Sequence, residues 1–149
     1  RSVCGLGNAN STEFDPDTDA PVIDLMEEQK KVLDMGGTMR LGAQGCALKP
    51  GSRAREGYGT DQVQERHRHR YEFNNHFRDV VEEHGMTIAG TTANDALVEI
   101  VEIPDHPWFV ACQFHPEFKS RPLAAHQLFR EFVKASVERR EQASKATGQ

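Results

Sequence analysis

The chain has 149 residues, 37% of them hydrophobic and 28% charged, with 18 Lys plus Arg against 23 Asp plus Glu for a formal charge of −5. That is the make-up of an ordinary globular domain large enough to bury a core, and its acidic balance gives no general attraction to nucleic acid or to an anionic membrane surface. No apolar run approaches the roughly 18 residues that a membrane-spanning helix needs.

Residues 1–20, dominated by Asn, Ser, Asp and Pro, read as irregular chain. Pro21 to Met26 reads as a strand, and the charged stretch Glu27 to Asp34 as a short helix or a loop. Thr38 to Leu48 is extended, between a Gly36-Gly37 turn and a turn at Lys49-Pro50-Gly51-Ser52. Gln62 to Phe73 is a further strand with charged alternate positions. Asn74 to His84 carries Phe77, Val80, Val81 and His84 at helical spacing, with Gly85 as its stop. Met86 to Gly90, Ala96 to Ile103 and Trp108 to Phe114 are short apolar strands, turned at Asn94-Asp95 and Pro104-Asp105. Leu123 to Val137 is an amphipathic helix with Leu128, Phe129, Phe132 and Val133 apolar. Residues 139–149, rich in Glu, Arg, Ser and Lys, read as a disordered tail, which leaves 1–138 as one domain. This pattern alone fits α/β or α+β.

Cys4, Cys46 and Cys112 are the three cysteines. An odd number at wide spacing is neither a disulfide framework nor a zinc signature, and a reduced, cytosolic setting is the default.

The chemistry-bearing element is His115-Pro116-Glu117, at the end of the Trp108–Phe114 strand. Residues at i and i+2 of an extended segment face the same side, and Pro116 keeps the segment from starting a helix. A carboxylate beside an imidazole holds one tautomer and stabilises the imidazolium. That is the base-and-orienter half of a nucleophilic triad. Alone, a His-x-Glu is more often a strand-end histidine beside an exposed carboxylate. Three further blocks change the weighing: Asn8-Ala9-Asn10-Ser11-Thr12-Glu13-Phe14, Gly36-Gly37-Thr38-Met39-Arg40-Leu41-Gly42-Ala43-Gln44, and Glu65-Arg66-His67-Arg68-His69-Arg70-Tyr71-Glu72. The basic run in the last block has no cysteine or carboxylate partners at zinc-ligand spacing and no aromatic interleaving of the kind that nucleic-acid stripes use. Alternation puts Arg66, Arg68 and Arg70 on one face of the strand and His67 and His69 on the other.

In this order and spacing the four blocks resemble the glutamine amidotransferase domain of the CTP synthase family, from about residue 8 to about residue 135. The resemblance implies an α/β fold, the carboxyl-terminal part of a flavodoxin-like class I glutamine amidotransferase domain. It implies His115 as general base and Glu117 as its orienter. By position it gives Arg70 to the α-carboxylate of glutamine and Glu13 to the rest of the substrate, where the α-ammonium needs an anion. It gives Thr38 and Arg40 to GTP, the family's allosteric activator. The family's nucleophile is a cysteine on a Gly-x-Cys-x-Gly turn, a motif that these 149 residues do not contain. All three cysteines read as structural, so the elbow is expected upstream of Arg1, and the chain by itself is expected to be inactive. Also implied are a synthetase domain using UTP and Mg-ATP, a homotetramer, a cytoplasmic location, and no metal or cofactor held by this region itself. Two alternatives stay open: another class I amidotransferase, such as a GMP- or carbamoyl-phosphate-forming enzyme, or a pseudo-glutaminase serving as a binding or assembly module.

Overall fold

A computed structural model describes residues 2–25 and 39–147. Among these, the elements run β1 (Asn10–Ser11), β2 (Pro21–Leu25), β3 (Arg40–Leu48), α1 (Arg53–Tyr58), β4 (Gln62–His69), β5 (Tyr71–Phe73), α2 (Arg78–Glu83), β6 (Thr87–Thr91), β7 (Val98–Glu102), β8 (Val110–Cys112) and α3 (Gln127–Thr147). Short 3₁₀ turns lie at Asn75–Phe77 and Pro116–Phe118. The helix or loop expected over Glu27 to Asp34 lies outside the described residues.

The described strands form two sheets. One has the order β1-β2-β5, with β1 parallel to β2 and β5 antiparallel to it. The other has the order β4-β3-β6-β7-β8, antiparallel throughout. The chain is thus a mixed α/β protein, as the sequence pattern indicated. The strand expected over Gln62 to Phe73 is two strands, broken at Arg70, and each half belongs to a different sheet. Hydropathy alternation continues across such a bend, so the pattern alone hides it.

Side-chain alternation turns the even-numbered residues of β3 inward. Cys46 and Leu48 join Ala54, Ala89, Ile100, Phe114 and Leu128 in the core. Gly90 sits where a Cβ would come within 2.8 Å of Cys46 Sγ and 3.0 Å of Ile100, so only glycine lets β6 lie this close to its neighbours.

The helix α1 has no counterpart in the sequence reading, although its signals are conventional. The Ser52 side chain accepts from Arg55 N, and Gly59 closes the helix at φ 71°. The Glu102 carboxylate adds a second cap, accepting from Arg53 N and Ala54 N. At the start of α3, His126 Nδ1 accepts from Leu128 N at 3.3 Å and Nε2 donates to Glu65 at 3.0 Å.

Two expectations about α3 need correction. The helix continues through Thr147 where a disordered tail was expected from residue 139. Its terminal Glu, Arg, Gln, Ala and Lys residues are strong helix formers, and low hydrophobicity alone does not end a helix already nucleated upstream. Of its apolar residues only Leu128 is buried, while Phe129, Phe132 and Val133 are exposed.

Candidate active site

Val110–Cys112 carries the chain out of the sheet, and His115 is held there by its backbone N–H, which donates to Arg66 O at 2.8 Å. The segment that follows is a 3₁₀ turn rather than extended strand, with Pro116 in its first position, where a missing N–H costs nothing. The turn still brings the pair together: His115 Nδ1 lies 2.6 Å from Glu117 Oε1. Because a carboxylate can only accept, Nδ1 carries the proton and Nε2 is left as the basic nitrogen. The hydrogen bond from His115 holds the Glu117 carboxyl below its ordinary value. Both side chains are open to solvent, at 36% and 54% exposure. The imidazole stacks on Phe118 at 4.8 Å. Lys119 then ties the turn to β4 through Gln64 O at 2.6 Å and the buried Glu65 carboxylate at 3.1 Å.

Glu13 and Arg70 are 57 residues apart in the chain. Glu13 lies on the loop after β1, where its N–H donates to Ser11 Oγ, and Arg70 occupies the bend between the two sheets. The structure places both on one cavity of about 670 Å³, with Ile23, Met39, Arg68, His69, Tyr71, Cys112 and Gln113. Both are exposed, so a carboxylate and a guanidinium line the same cavity. An adjoining cavity of about 700 Å³ shares Met39 and Arg68 and reaches Arg66 and Phe118, the residue stacked on His115. Tyr71 and Gln113 were not singled out from the sequence. Gln113 sits two residues before His115, and a polar residue in an apolar strand is the signal that it has a buried partner.

Arg40 does not present its cation to either cavity. Strand alternation turns it inward, where Nη2 meets Glu99 at 2.6 Å and Nη1 meets Glu72 at 3.2 Å. Here it is a structural cation, and the nucleotide contact expected of it would require the guanidinium to leave both carboxylates. Thr38, its expected companion, lies outside the described residues. Gln113 joins the same buried network. Its amide donates to Glu72 at 2.9 Å and to Val98 O, and its oxygen accepts from Phe73 N at 2.8 Å.

Two carboxylates sharing one guanidinium leave surplus negative charge in the interior unless one of them holds a proton. Burial pushes Glu72 up to about 7 against the pull of Arg40, and burial raises Glu99 too. A carboxyl raised from 4.5 binds its proton more tightly in the folded state, so its stabilising contribution is complete below pH 4.5 and lost as pH rises through about 7. Glu72→Gln should remove that slope. Thermal unfolding across this range should show the wild type losing about 3 kcal/mol relative to the variant, and parallel curves would contradict the assignment.

The thiols do not resemble activated nucleophiles. Burial pushes Cys46 and Cys112 each up to about 12, whereas a nucleophilic cysteine needs a lowered value. Cys46 Sγ contacts Ala47 O and Cys112 Sγ contacts Phe114 O. Cys4 lies in the turn Ser2–Gly5. Among the described residues no cluster of His, Cys, Asp and Glu could hold a metal ion, and no helix is long and apolar enough to cross a membrane.

Comparison with known proteins gives the family. The family Glutamine amidotransferase class-I matches residues 8–135. The CTP synthase of Moorella thermoacetica is 60% identical over 139 residues, 93% of this chain and 26% of that protein. The CTP synthase of Methanothermobacter thermautotrophicus is 60% identical over 135 residues, 91% of this chain and 25% of that protein. The chain therefore spans about a quarter of the length of these relatives. The glutaminase domain of Trypanosoma brucei CTPS, solved with bound acivicin, superposes with a TM-score of 0.85 at 33% identity, covering 93% of this chain and 54% of that one. The chain belongs to the class I glutamine amidotransferase family and is a homologue of the glutaminase domain of CTP synthases.

Proposed function

We propose that the protein carrying this chain makes CTP from UTP, ATP and glutamine, and that this region forms part of the site where glutamine is hydrolysed. The observation that carries the reading is one cavity bearing Glu13 and Arg70, adjoined by a second that Phe118 lines, the ring on which the imidazole of the His115–Glu117 pair stacks. Glutamine is a zwitterion, so its recognition calls for a fork on the α-carboxylate and an anion for the α-ammonium. Arg70 supplies the first and Glu13 the second.

In the proposed reaction a cysteine other than Cys4, Cys46 and Cys112 is the nucleophile. His115 Nε2 takes the thiol proton as sulfur attacks the amide carbon, then gives it to the departing ammonia. It next takes a proton from the water that cleaves the thioester and returns it to the thiol, while glutamate leaves. Glu117 holds the imidazole in the required tautomer and stabilises the imidazolium. The ammonia passes to UTP activated with Mg-ATP in a synthetase domain, whose residues are not among these 149. GTP as activator, a homotetramer and a cytoplasmic location belong to the same proposal and rest on the likeness to the family.

The test is CTP formation from UTP and Mg-ATP with glutamine or with ammonia as nitrogen source. Both should support synthesis, and only the glutamine reaction should respond to GTP. Synthesis with ammonia alone would make the region a pseudo-glutaminase, and no CTP from either source would overturn the proposal.

A further inference from the structure

Arg70 occupies the one-residue bend between β4 of the five-stranded sheet and β5 of the three-stranded sheet. Among the described residues no strand ladder holds the backbone at that point. What spans it is a side chain: His69 Nδ1 lies 3.0 Å from the carbonyl oxygen of Tyr71, bridging across Arg70. A carbonyl only accepts, so Nδ1 carries the proton and Nε2 of the neutral ring has the lone pair. That lone pair faces His67 Nδ1 at 2.8 Å, so His67 donates to His69. His67 Nε2 lies 3.7 Å from Glu99 Oε2, too far for a hydrogen bond, so the chain of bonds begins at His67. Burial lowers both imidazoles, His67 to about 3, which keeps both rings neutral and the donor–acceptor order intact.

We propose that His69 is a positioning residue for glutamine, acting through Arg70: its imidazole bridges the bend and aims the guanidinium at the cavity, with His67 fixing the ring. The inference rests on the reading of Arg70 as the α-carboxylate fork. It explains why a buried and a half-buried histidine alternate with the exposed arginines of this strand. The hydrogen-bonded chain runs from His67 through His69 to the substrate bend, and among the described residues neither histidine hydrogen-bonds to the His115–Glu117 pair. A loss at His69 should therefore weaken substrate capture and leave the chemical step alone.

The test is glutaminase kinetics in the full gene product with Arg70→Ala, His69→Ala, His69→Asn and His69→Gln. An Asn amide nitrogen sits where Nδ1 sits and can donate to Tyr71 O, whereas a Gln nitrogen sits in the Nε2 position and cannot. His69→Ala should raise KM for glutamine roughly 10-fold, with kcat within about threefold of wild type. His69→Asn should recover most of that loss and His69→Gln should not. If His69→Ala does not fold, the Asn–Gln pair at matched Tm decides the question. Equal KM values for these two, or a fall in kcat with KM unchanged, would overturn the inference. If Arg70→Ala raises KM and no His69 variant does, Arg70 binds substrate but His69 does not aim it. If Arg70→Ala leaves KM unchanged, the reading of the glutamine site itself is wrong and this inference falls with it.

Discussion

His115→Ala in the full gene product should lower glutamine-dependent CTP formation by on the order of 10²–10⁴-fold and leave ammonia-dependent formation near wild type. The imidazole is needed only to make and break the thioester, and free ammonia bypasses both steps. Glu117→Ala should be milder, because it removes the group that orients Nδ1, 2.6 Å away, and not the proton carrier. The double variant should lose about what His115→Ala alone loses, since an orienter has no effect once the base is gone. Measuring both single variants and the double variant with each nitrogen source checks the assignment. A Glu117→Ala worse than His115→Ala, or a double variant losing the product of the two effects, would show that the base and orienter are wrongly assigned.

Arg70→Ala should lower kcat/KM for glutamine roughly 30- to 1,000-fold, equivalent to about 2–4 kcal/mol, for the loss of one charge-assisted bidentate pair. The ammonia-dependent reaction should again be spared. Arg70 is exposed on the cavity wall and its guanidinium is not built into the core, so the variant should keep its fold. Arg40 offers the contrast. Its guanidinium bridges the buried Glu72 and Glu99, and Arg40→Ala would leave two buried carboxylates without their cation. Equal loss with both nitrogen sources for Arg70→Ala would mean that it too is structural.

What the sequence revealed and what it hid divide along physical lines. The His115–Glu117 pair was legible because its chemistry depends on residues two apart, and a local turn suffices to join them. The three strands from Thr87 to Cys112 and the Gly85 stop were legible from hydropathy and turn chemistry. The break at Arg70 was not, because a bend that moves the chain from one sheet to another leaves the alternation intact. The orientation of Arg40 was hidden for a related reason. Alternation gives two faces, and only the tertiary partners Glu72 and Glu99, 32 and 59 residues away, decide which face is inside. Buried Glu65, Glu72, Glu99 and Glu102 defeat hydropathy altogether, although a glutamate inside Val98-Glu99-Ile100-Val101 signals that a buried partner must exist. The helix α1 was missed because at six residues it is too short to show a period, even with Ser52 and Gly59 at its ends.

The most direct test of a glutaminase site served by His115 and completed by a further cysteine is covalent mapping. The full gene product is treated with an electrophilic glutamine analogue that alkylates the nucleophilic thiol, then digested, and the labelled peptide is located by mass spectrometry. The account predicts one labelled cysteine that is not Cys4, Cys46 or Cys112, with labelling suppressed by excess glutamine and slowed by Arg70→Ala. Glutamine-protected label on Cys4, Cys46 or Cys112 would contradict it.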